Sequence, residues 1–178
     1  MKIFSLLIIR LFLFLTACGS TGRGVITGDM QPSEYLKILK GKRVAVVANQ
    51  ASVAGERHAV DELLEHGVNI ILIFAPEHGF RDLADAGQKI TDGKDPLTGL
   101  PVVSLYGKSV KPSSGHMKGI DAVVYDIQDV GARFYTYIST MHYVMESCAE
   151  NNVMFVVLDR PNPNGFYVDG NIPDMAHR

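Results

Sequence analysis

The sequence is short of three features: it has no tryptophan, only two cysteines and almost no excess charge of either sign. Its 17 lysines and arginines nearly balance its 19 aspartates and glutamates, so it has no basic stripe and we expect no nucleic-acid partner. Cys18 lies in an apolar leader, which leaves Cys148 without a partner for an intramolecular disulfide. We therefore expect a hydrophobic core to stabilise the fold, with Cys148 as a buried thiol within it.

Cofactor and metal motifs are missing as well. The first apolar run is followed by Asn49-Gln50-Ala51-Ser52, which is neither a Gly-x-Gly-x-x-Gly turn nor a Gly-Lys-Ser/Thr loop, and this argues against NAD and ATP. No histidine pair has i, i+4 spacing, and no cysteine cluster exists. We therefore expect no cofactor and no metal, with a metal site on His78, Asp126 and Asp129 as the alternative.

The first eighteen residues predict an export signal. Met1-Lys2 is a basic start, residues 3–15 are apolar except for Ser5 and Arg10, and the run is too short for a stable membrane span. It ends in Leu15-Thr16-Ala17-Cys18, which resembles the lipobox of bacterial lipoproteins, where the cysteine carries the lipid. We therefore expect a signal peptide over 1–18 and an exported protein, anchored by lipidated Cys18 at the periplasmic or cell-envelope face of a membrane. The alternative is a membrane-anchor helix with an incidental cysteine.

The remaining chain predicts one α/β domain. Five apolar runs have the length of buried strands, and helical patterns separate them, including a long helix from Gly131 to about Glu150. The apolar stripe of helical period that we expect this long helix to bury is Phe134, Ile138, Met141, Met145 and Cys148. Such alternation favours a parallel sheet with right-handed crossovers. We therefore predict a Rossmann-like parallel sheet with helices on both faces over residues 31–178, preceded by a flexible tether over 19–30. The predicted strands cover residues 43–48, 70–75, 101–105, 122–127 and 153–158.

Polar residues gather where the predicted strands end. Pro76 stops the second strand, so Glu77 and His78 lie at the carboxyl edge of the sheet, where open α/β sheets bind ligands. Asn49 and the segment 126–129 follow other strands on the same side. Several carboxylates on one edge are what acid–base chemistry on a sugar or an ester requires.

Several of these strand ends belong to longer motifs: Asn49-Gln50, Pro76-Glu77-His78-Gly79, and the blocks 95–102, 104–107, 126–138 and 158–163. Together they resemble the exo-β-N-acetylmuramidase family, long catalogued as a bacterial domain of unknown function. The resemblance implies a Rossmann-like N-terminal subdomain, muropeptides derived from peptidoglycan as partners, and release of N-acetylmuramic acid from their non-reducing ends. Family members run to roughly twice this length. We therefore expect the family's C-terminal subdomain to be missing, in a fragment or in a short form with another role.

The resemblance also implies catalytic residues. Glu77 is the leading carboxylate, as general acid or nucleophile, and its alternative role is a surface acid that caps the next turn. His78 orients the sugar or assists Glu77, or is a structural histidine. Asp126 and Asp129 are candidates for the second catalytic carboxylate. Asp129 is also a candidate for binding the substrate, and its alternative role is an N-cap of the long helix.

The remaining site candidates would bind substrate. Arg81 and Arg133 suit the lactyl carboxylate of muramic acid, because a guanidinium holds a carboxylate through two bonds, but structural ion pairs are the alternative. Asn49 and Gln128 could bind sugar hydroxyls or satisfy their own loops. Tyr135 could stack on the sugar or belong to the core. The function we expect is a glycoside hydrolase of cell-wall turnover, with a non-catalytic muropeptide-binding lipoprotein or a metal-assisted hydrolase as alternatives.

Overall fold

The computed structural model describes residues 24–81 and 92–172, together with Asp174 and Ala176. The predicted signal peptide with Cys18, and the first part of the predicted tether, lie outside the described residues. Within the described ranges, no helix combines the length and the apolar character that a membrane crossing requires.

The chain forms eight strands in the described ranges, six of them in one sheet. The strands are β1 Arg43–Ala48, β2 Val53–Ala54, β3 Arg57–His58, β4 Asn69–Ala75, β5 Gly93–Lys94, β6 Pro101–Ser104, β7 Ala122–Asp126 and β8 Met154–Val157. The order across the six-stranded sheet is β5-β6-β4-β1-β7-β8, and all neighbours are parallel except β5, which is antiparallel to β6. The strands β2 and β3 form a separate antiparallel hairpin.

Helices cover both faces of this sheet, and β1 lies at its centre. Val44 and Val46 point to one face, and Ala45 and Val47 point to the other; all four are fully buried. Burial on both faces explains why the strand sequence is a continuous apolar run rather than an alternating one. The helices are α1 Pro32–Leu39 and α2 Ala59–Glu65 on the first face, and α3 Ser114–Met117 and α4 Tyr137–Glu150 on the second.

The predicted fold class is therefore confirmed: the domain is an α/β fold with a largely parallel sheet between two helical layers. The chain runs from β1 outward through β4 to β6, then returns to the other side of β1 for β7 and β8. In such doubly wound sheets, ligands bind beyond the carboxyl ends of the central strands. The fold thus directs attention to the loops after β4, β1 and β7.

The long helix differs from its prediction in its start and in its buried face. It begins at Tyr137 rather than at Gly131, because Gly131 has φ +70° and its N–H donates to the Asp129 side chain in a local turn. The N-cap role that was the alternative for Asp129 is therefore wrong. The buried face of α4 is Tyr137, Thr140, Val144, Ser147 and Cys148, whereas Phe134, Ile138 and Met145 are exposed.

Two polar side chains explain the misassigned helix face. Ser147 is fully buried because its hydroxyl donates to the Pro112 carbonyl at 2.8 Å, and Thr140 is buried one turn from the helix start. Because these polar side chains are buried, the positions of the apolar residues alone predict the wrong buried face for α4. Cys148 is a buried thiol as predicted, and burial raises its pKa to about 11.

The end of the predicted tether is ordered structure. Gly28–Met30 forms one turn of 3-10 helix, and the Gly28 N–H donates to the Asp159 carbonyl at 2.7 Å. A Cβ at Gly28 would lie 2.6 Å from the Asp159 nitrogen, so only glycine allows this approach. Asp29 is buried beside it. The tether prediction is thus wrong for these three residues, which pack against the loop after β8.

Candidate active site

Glu77 lies on a strained turn just beyond the end of β4. The Gly79 N–H donates to the Pro76 carbonyl at 3.1 Å, which closes a four-residue turn with Glu77 and His78 at its centre. His78 has φ +71°, a left-handed conformation that turns of this kind normally assign to glycine or asparagine. Glu77 and His78 are both half-buried, whereas Pro76 and Gly79 are buried. The turn therefore holds the acid at the surface of the sheet edge, at a conformational cost.

Two hydroxyl groups from different elements hold the Glu77 carboxylate. Thr136, at the start of α4, donates from Oγ1 to Glu77 Oε2 at 2.9 Å. Tyr106 follows β6, the strand beside β4, and its hydroxyl also bonds to the Glu77 side chain. This hydrogen bond, together with the negative charge of Glu77, raises the pKa of Tyr106. Both partners are neutral hydroxyl groups rather than cations.

Tyr137 forms a fixed wall behind the acid. It is buried, its hydroxyl lies 3.5 Å from the Glu77 carbonyl oxygen, and its own carbonyl accepts from Tyr125 at 2.8 Å. Burial raises the pKa of Tyr137, and hydrogen bonds to the Asn49 and Gln50 side chains partly oppose the shift. This ring therefore joins the ends of β1 and β4 to the start of α4.

Asp126, the predicted second catalytic carboxylate, is locked in a buried ion cluster. Its exposed fraction is 0%, and Arg160 donates to its two carboxylate oxygens at 2.7 and 2.9 Å. Arg160 also lies 3.2 Å from a carboxylate oxygen of Asp29. Burial raises the pKa of Asp126, and the hydrogen bonds and charge of Arg160 oppose that shift. These contacts give Asp126 a structural role in the described part of the chain, and its catalytic role stays a prediction.

Asn49 and Arg81, both predicted to bind substrate, have their polar groups occupied by the protein. Asn49 is buried, and its side-chain oxygen accepts from the Ala51 N–H at 2.9 Å, which satisfies the loop after β1. Arg81 donates to Asp61 at 2.8 Å and to Asp95 at 3.1 Å. The alternatives to substrate binding, a loop amide and a structural ion pair, therefore describe the observed contacts.

Three further predicted substrate residues lie in or beside the loop between β7 and α4. Gln128 donates to the carbonyls of Asp129 and Pro161 at 2.6 and 3.0 Å, so its amide N–H groups hold two loops together. Arg133 is exposed and donates to the Asn171 carbonyl at 2.8 Å. Asp129 is half-buried and accepts from Gly131. No contact here tests their roles toward a substrate, which stay predictions.

Tyr135, which we predict to stack on the sugar, has a partly exposed ring. It is 38% exposed, and it meets Tyr137 edge-on with ring centroids 5.3 Å apart. Because Tyr137 is fixed behind Glu77, this contact links the exposed ring to the wall of the acid's site. An exposed aromatic ring beside a carboxylate is a common way to bind a sugar face. The stacking role remains a prediction.

The sequence does not reveal the hydroxyl groups of Thr136 and Tyr106 as partners of the acid. Tyr106 follows the third predicted strand, so the pattern predicts its position at the sheet edge but not its partner. Thr136 lies within the predicted long helix, where it carries no signal. Gln50 carries no signal of its own either: in the described part of the chain, its buried side-chain oxygen has no hydrogen-bond partner.

A metal site finds no support in the geometry. Among the described residues, no three His, Cys, Asp or Glu side chains are grouped so that they could hold an ion. Asp126 of the alternative metal set is bonded to Arg160, and Asp129 to Gly131. The arrangement that remains is one half-buried acid on a strained turn, held by neutral donors.

The fold and this site define the class of protein: a doubly wound α/β domain with an acid presented at the carboxyl edge of its sheet. Comparison with known families makes the assignment specific. The sequence profile described as "Exo-beta-N-acetylmuramidase NamZ, N-terminal" matches residues 44–178. The chain therefore belongs to this N-terminal domain family, as the motifs predicted.

Individual relatives agree with this assignment. The chain is 48% identical over 134 residues to the peptidoglycan beta-N-acetylmuramidase NamZ of Bacillus subtilis strain 168, covering 74% of this chain and 32% of that protein. A crystal structure of a DUF1343 family protein from Bacteroides fragilis NCTC 9343 is 46% identical with a TM-score of 0.72, covering 86% of this chain and 39% of that one. A second such structure from the same strain is 45% identical with a TM-score of 0.73, over 84% and 38% of the two chains. The chain thus spans about a third of the curated relative's length.

Proposed function

We propose that the protein acts on peptidoglycan as a glycoside hydrolase that releases N-acetylmuramic acid from the non-reducing ends of muropeptides. The observation that carries the proposal is the half-buried Glu77 at the sheet edge, in a domain 48% identical to a protein named as a peptidoglycan β-N-acetylmuramidase. Because the chain spans 32% of that relative, its activity and substrate are our inference rather than a property of the family domain.

Accessible side chains on the Glu77 turn and in the loop before α4 have chemistry that fits a charged sugar. We assign Glu77 as the reacting carboxylate and His78, on the same turn, as the residue that orients the sugar or assists the acid. Tyr135 offers an exposed ring for stacking on the pyranose. Arg133, which is exposed, could exchange its bond to the Asn171 carbonyl for the lactyl carboxylate of muramic acid.

A second carboxylate is needed by most glycosidases. Asp126 is buried, and both of its carboxylate oxygens accept from Arg160. Asp129 is half-buried in the loop before α4, and one of its oxygens accepts from the Gly131 N–H. Asp129 is therefore our candidate for the second acid. Its substitution by asparagine tests this assignment separately from that of Glu77.

The test is the release of N-acetylmuramic acid from defined muropeptides by the wild-type protein and by Glu77→Gln. We expect the variant to lose at least about a thousandfold in kcat, because amide and carboxylate differ in charge and in proton affinity. Glu146→Gln, on the outer face of α4, is the matched control and should remain active. Full activity in Glu77→Gln would contradict the assignment of Glu77 as the reacting carboxylate. Saturable muropeptide binding without release by the wild type would instead favour a non-catalytic binding protein.

We also propose that the protein is exported and anchored in a membrane through a lipid on Cys18. The support is the sequence of residues 1–18, with its basic start, apolar run and lipobox-like end. Metabolic labelling with a fatty-acid analogue should label the wild type and leave Cys18→Ser unlabelled. Labelling of Cys18→Ser, or an unprocessed wild-type mass that retains residues 1–17, would contradict the proposal.

A further inference from the structure

Thr136 occupies the N-cap position of α4 but does not cap the helix. Ser, Thr, Asp and Asn are favoured at this position because their side chains accept a hydrogen bond from the first turn. Thr136 makes no such bond. Its backbone explains why: φ −78° and ψ −17° are helical values, whereas a capping residue has an extended backbone.

A second helix of the same domain provides the contrast. Ser113 precedes α3 with φ −76° and ψ 160°, and its hydroxyl accepts from the His116 N–H at 3.3 Å. His116 in turn accepts from the Ser113 N–H, which completes a reciprocal cap. Ser113 is thus a structural hydroxyl. The Thr136 hydroxyl is directed instead at Glu77, 59 residues away in the sequence.

The hydroxyl joins two elements of the fold, because Thr136 precedes α4 and Glu77 follows β4. The positive end of the α4 dipole also lies at Thr136, and it favours a negative charge there. A hydrogen bond and the helix dipole therefore both favour a carboxylate oxygen at this end of α4.

We propose that Thr136 is a positioning residue whose hydroxyl holds the Glu77 carboxylate in the orientation in which it reacts. The inference rests on the proposed function, and it gives this hydroxyl a task that is separate from folding.

Kinetics provide the first test. Thr136→Val should lower kcat about tenfold, roughly what one hydrogen bond to a charged group contributes, while KM changes less than about twofold. Thr136→Ser should restore most of the activity because it restores the donor. The matched control is Ser113→Ala, which removes a hydroxyl that caps a helix. Full kcat in Thr136→Val, or a Thr136→Ser variant as slow as Thr136→Val, would overturn the proposal.

A readout without turnover separates failure of the inference from failure of the proposed function. In protein labelled with ¹³C at the glutamate carboxyl groups, the signal absent from Glu77→Gln identifies Glu77. Its chemical shift should change in Thr136→Val, return towards the wild-type value in Thr136→Ser, and stay unchanged in Ser113→Ala. If the wild type releases no sugar but the chemical shift changes, the proposed function fails and the contact between Thr136 and Glu77 stands. If the chemical shift does not change, the inference fails whatever the activity.

Discussion

Two acids at the same edge of the sheet have opposite environments. Glu77 and Asp126 both lie at the carboxyl ends of apolar parallel strands, so the sequence pattern alone predicts the same edge of the sheet for both. Glu77 is half-buried and bonded to the neutral hydroxyls of Thr136 and Tyr106. Asp126 is fully buried and bonded to the guanidinium of Arg160. Glu77 therefore has the surroundings of a reactive residue. Asp126, Arg160 and Asp29 form a buried structural ion cluster, which we call the clamp.

The difference arises from where each acid lies relative to the end of its strand. Asp126 is still within its strand, in register with Ala48 of β1, so its side chain follows Ala122 and Val124 to the buried face under α1 and α2. Glu77 lies two residues beyond the end of β4, after a proline that turns the chain out of the sheet. Position at the carboxyl edge is therefore not sufficient for an accessible acid. The residue must also lie past the last ladder pair.

The largest effect should come from removing the cation of the clamp. Arg160→Met leaves Asp126 and Asp29 buried together without a counter-charge, which should lower the free energy of unfolding by about 3–5 kcal/mol. The measurement is urea-induced unfolding followed by circular dichroism. Although burial acts to lower it, the pKa of Arg160 is raised by Asp126 and Asp29, consistent with a cation that both acids stabilise.

An exposed ion pair provides the control for this prediction. Arg43 bonds to Asp121 at the amino-terminal edge of the sheet, and hydrogen bonds from Arg43 hold the pKa of Asp121 well below its usual range. Both side chains are largely solvated, so Arg43→Met should cost far less than Arg160→Met. Equal losses for the two variants would mean that burial does not set the strength of the clamp.

The next effect compares the same chemical change at the two acids. Asp126→Asn removes one of two charges facing Arg160 and should cost about 2 kcal/mol, as expected for hydrogen bonds to charged groups. Glu77→Gln keeps an acceptor for neutral donors at a half-buried position, so its effect should stay within about 0.5 kcal/mol. Unfolding and activity are measured on both variants. A stability loss in Glu77→Gln as large as that in Asp126→Asn would mean that the two acids contribute equally to folding, which contradicts the different roles assigned to them.

Much of the sheet could be predicted because burial on both faces leaves a strong pattern. The run Arg43–Ala48 matches β1 at both ends, and the other four predicted strands agree within one or two residues. The two-residue strands β2, β3 and β5 were missed, because two residues carry no periodicity. The start of α4 was missed because the Asp129–Gly131 turn interrupts a sequence with helical spacing.

The site could be predicted only in part. Pro76 marks the strand end, so the position of Glu77 follows from local chain geometry. The bond between Asp126 and Arg160 joins residues 34 apart on neighbouring strand ends, and the bond between Thr136 and Glu77 joins residues 59 apart. Such pairs depend on strand order and on where α4 begins. Strand order is a tertiary property that one sequence does not reveal.

The smallest effect should come from relieving strain beside Glu77. His78 has φ +71°, which costs a residue with a Cβ about 1 kcal/mol, so His78→Gly should raise the free energy of unfolding by up to about 1 kcal/mol. Asn152→Gly is the matched control: Asn152 has φ +54° after α4, and asparagine tolerates this conformation, so its gain should be smaller. The clamp around Asp126 has no residue of this kind within β7. If His78→Gly is more stable and less active, the turn stores strain that serves the site; if it is less stable, contacts of the imidazole outweigh the strain.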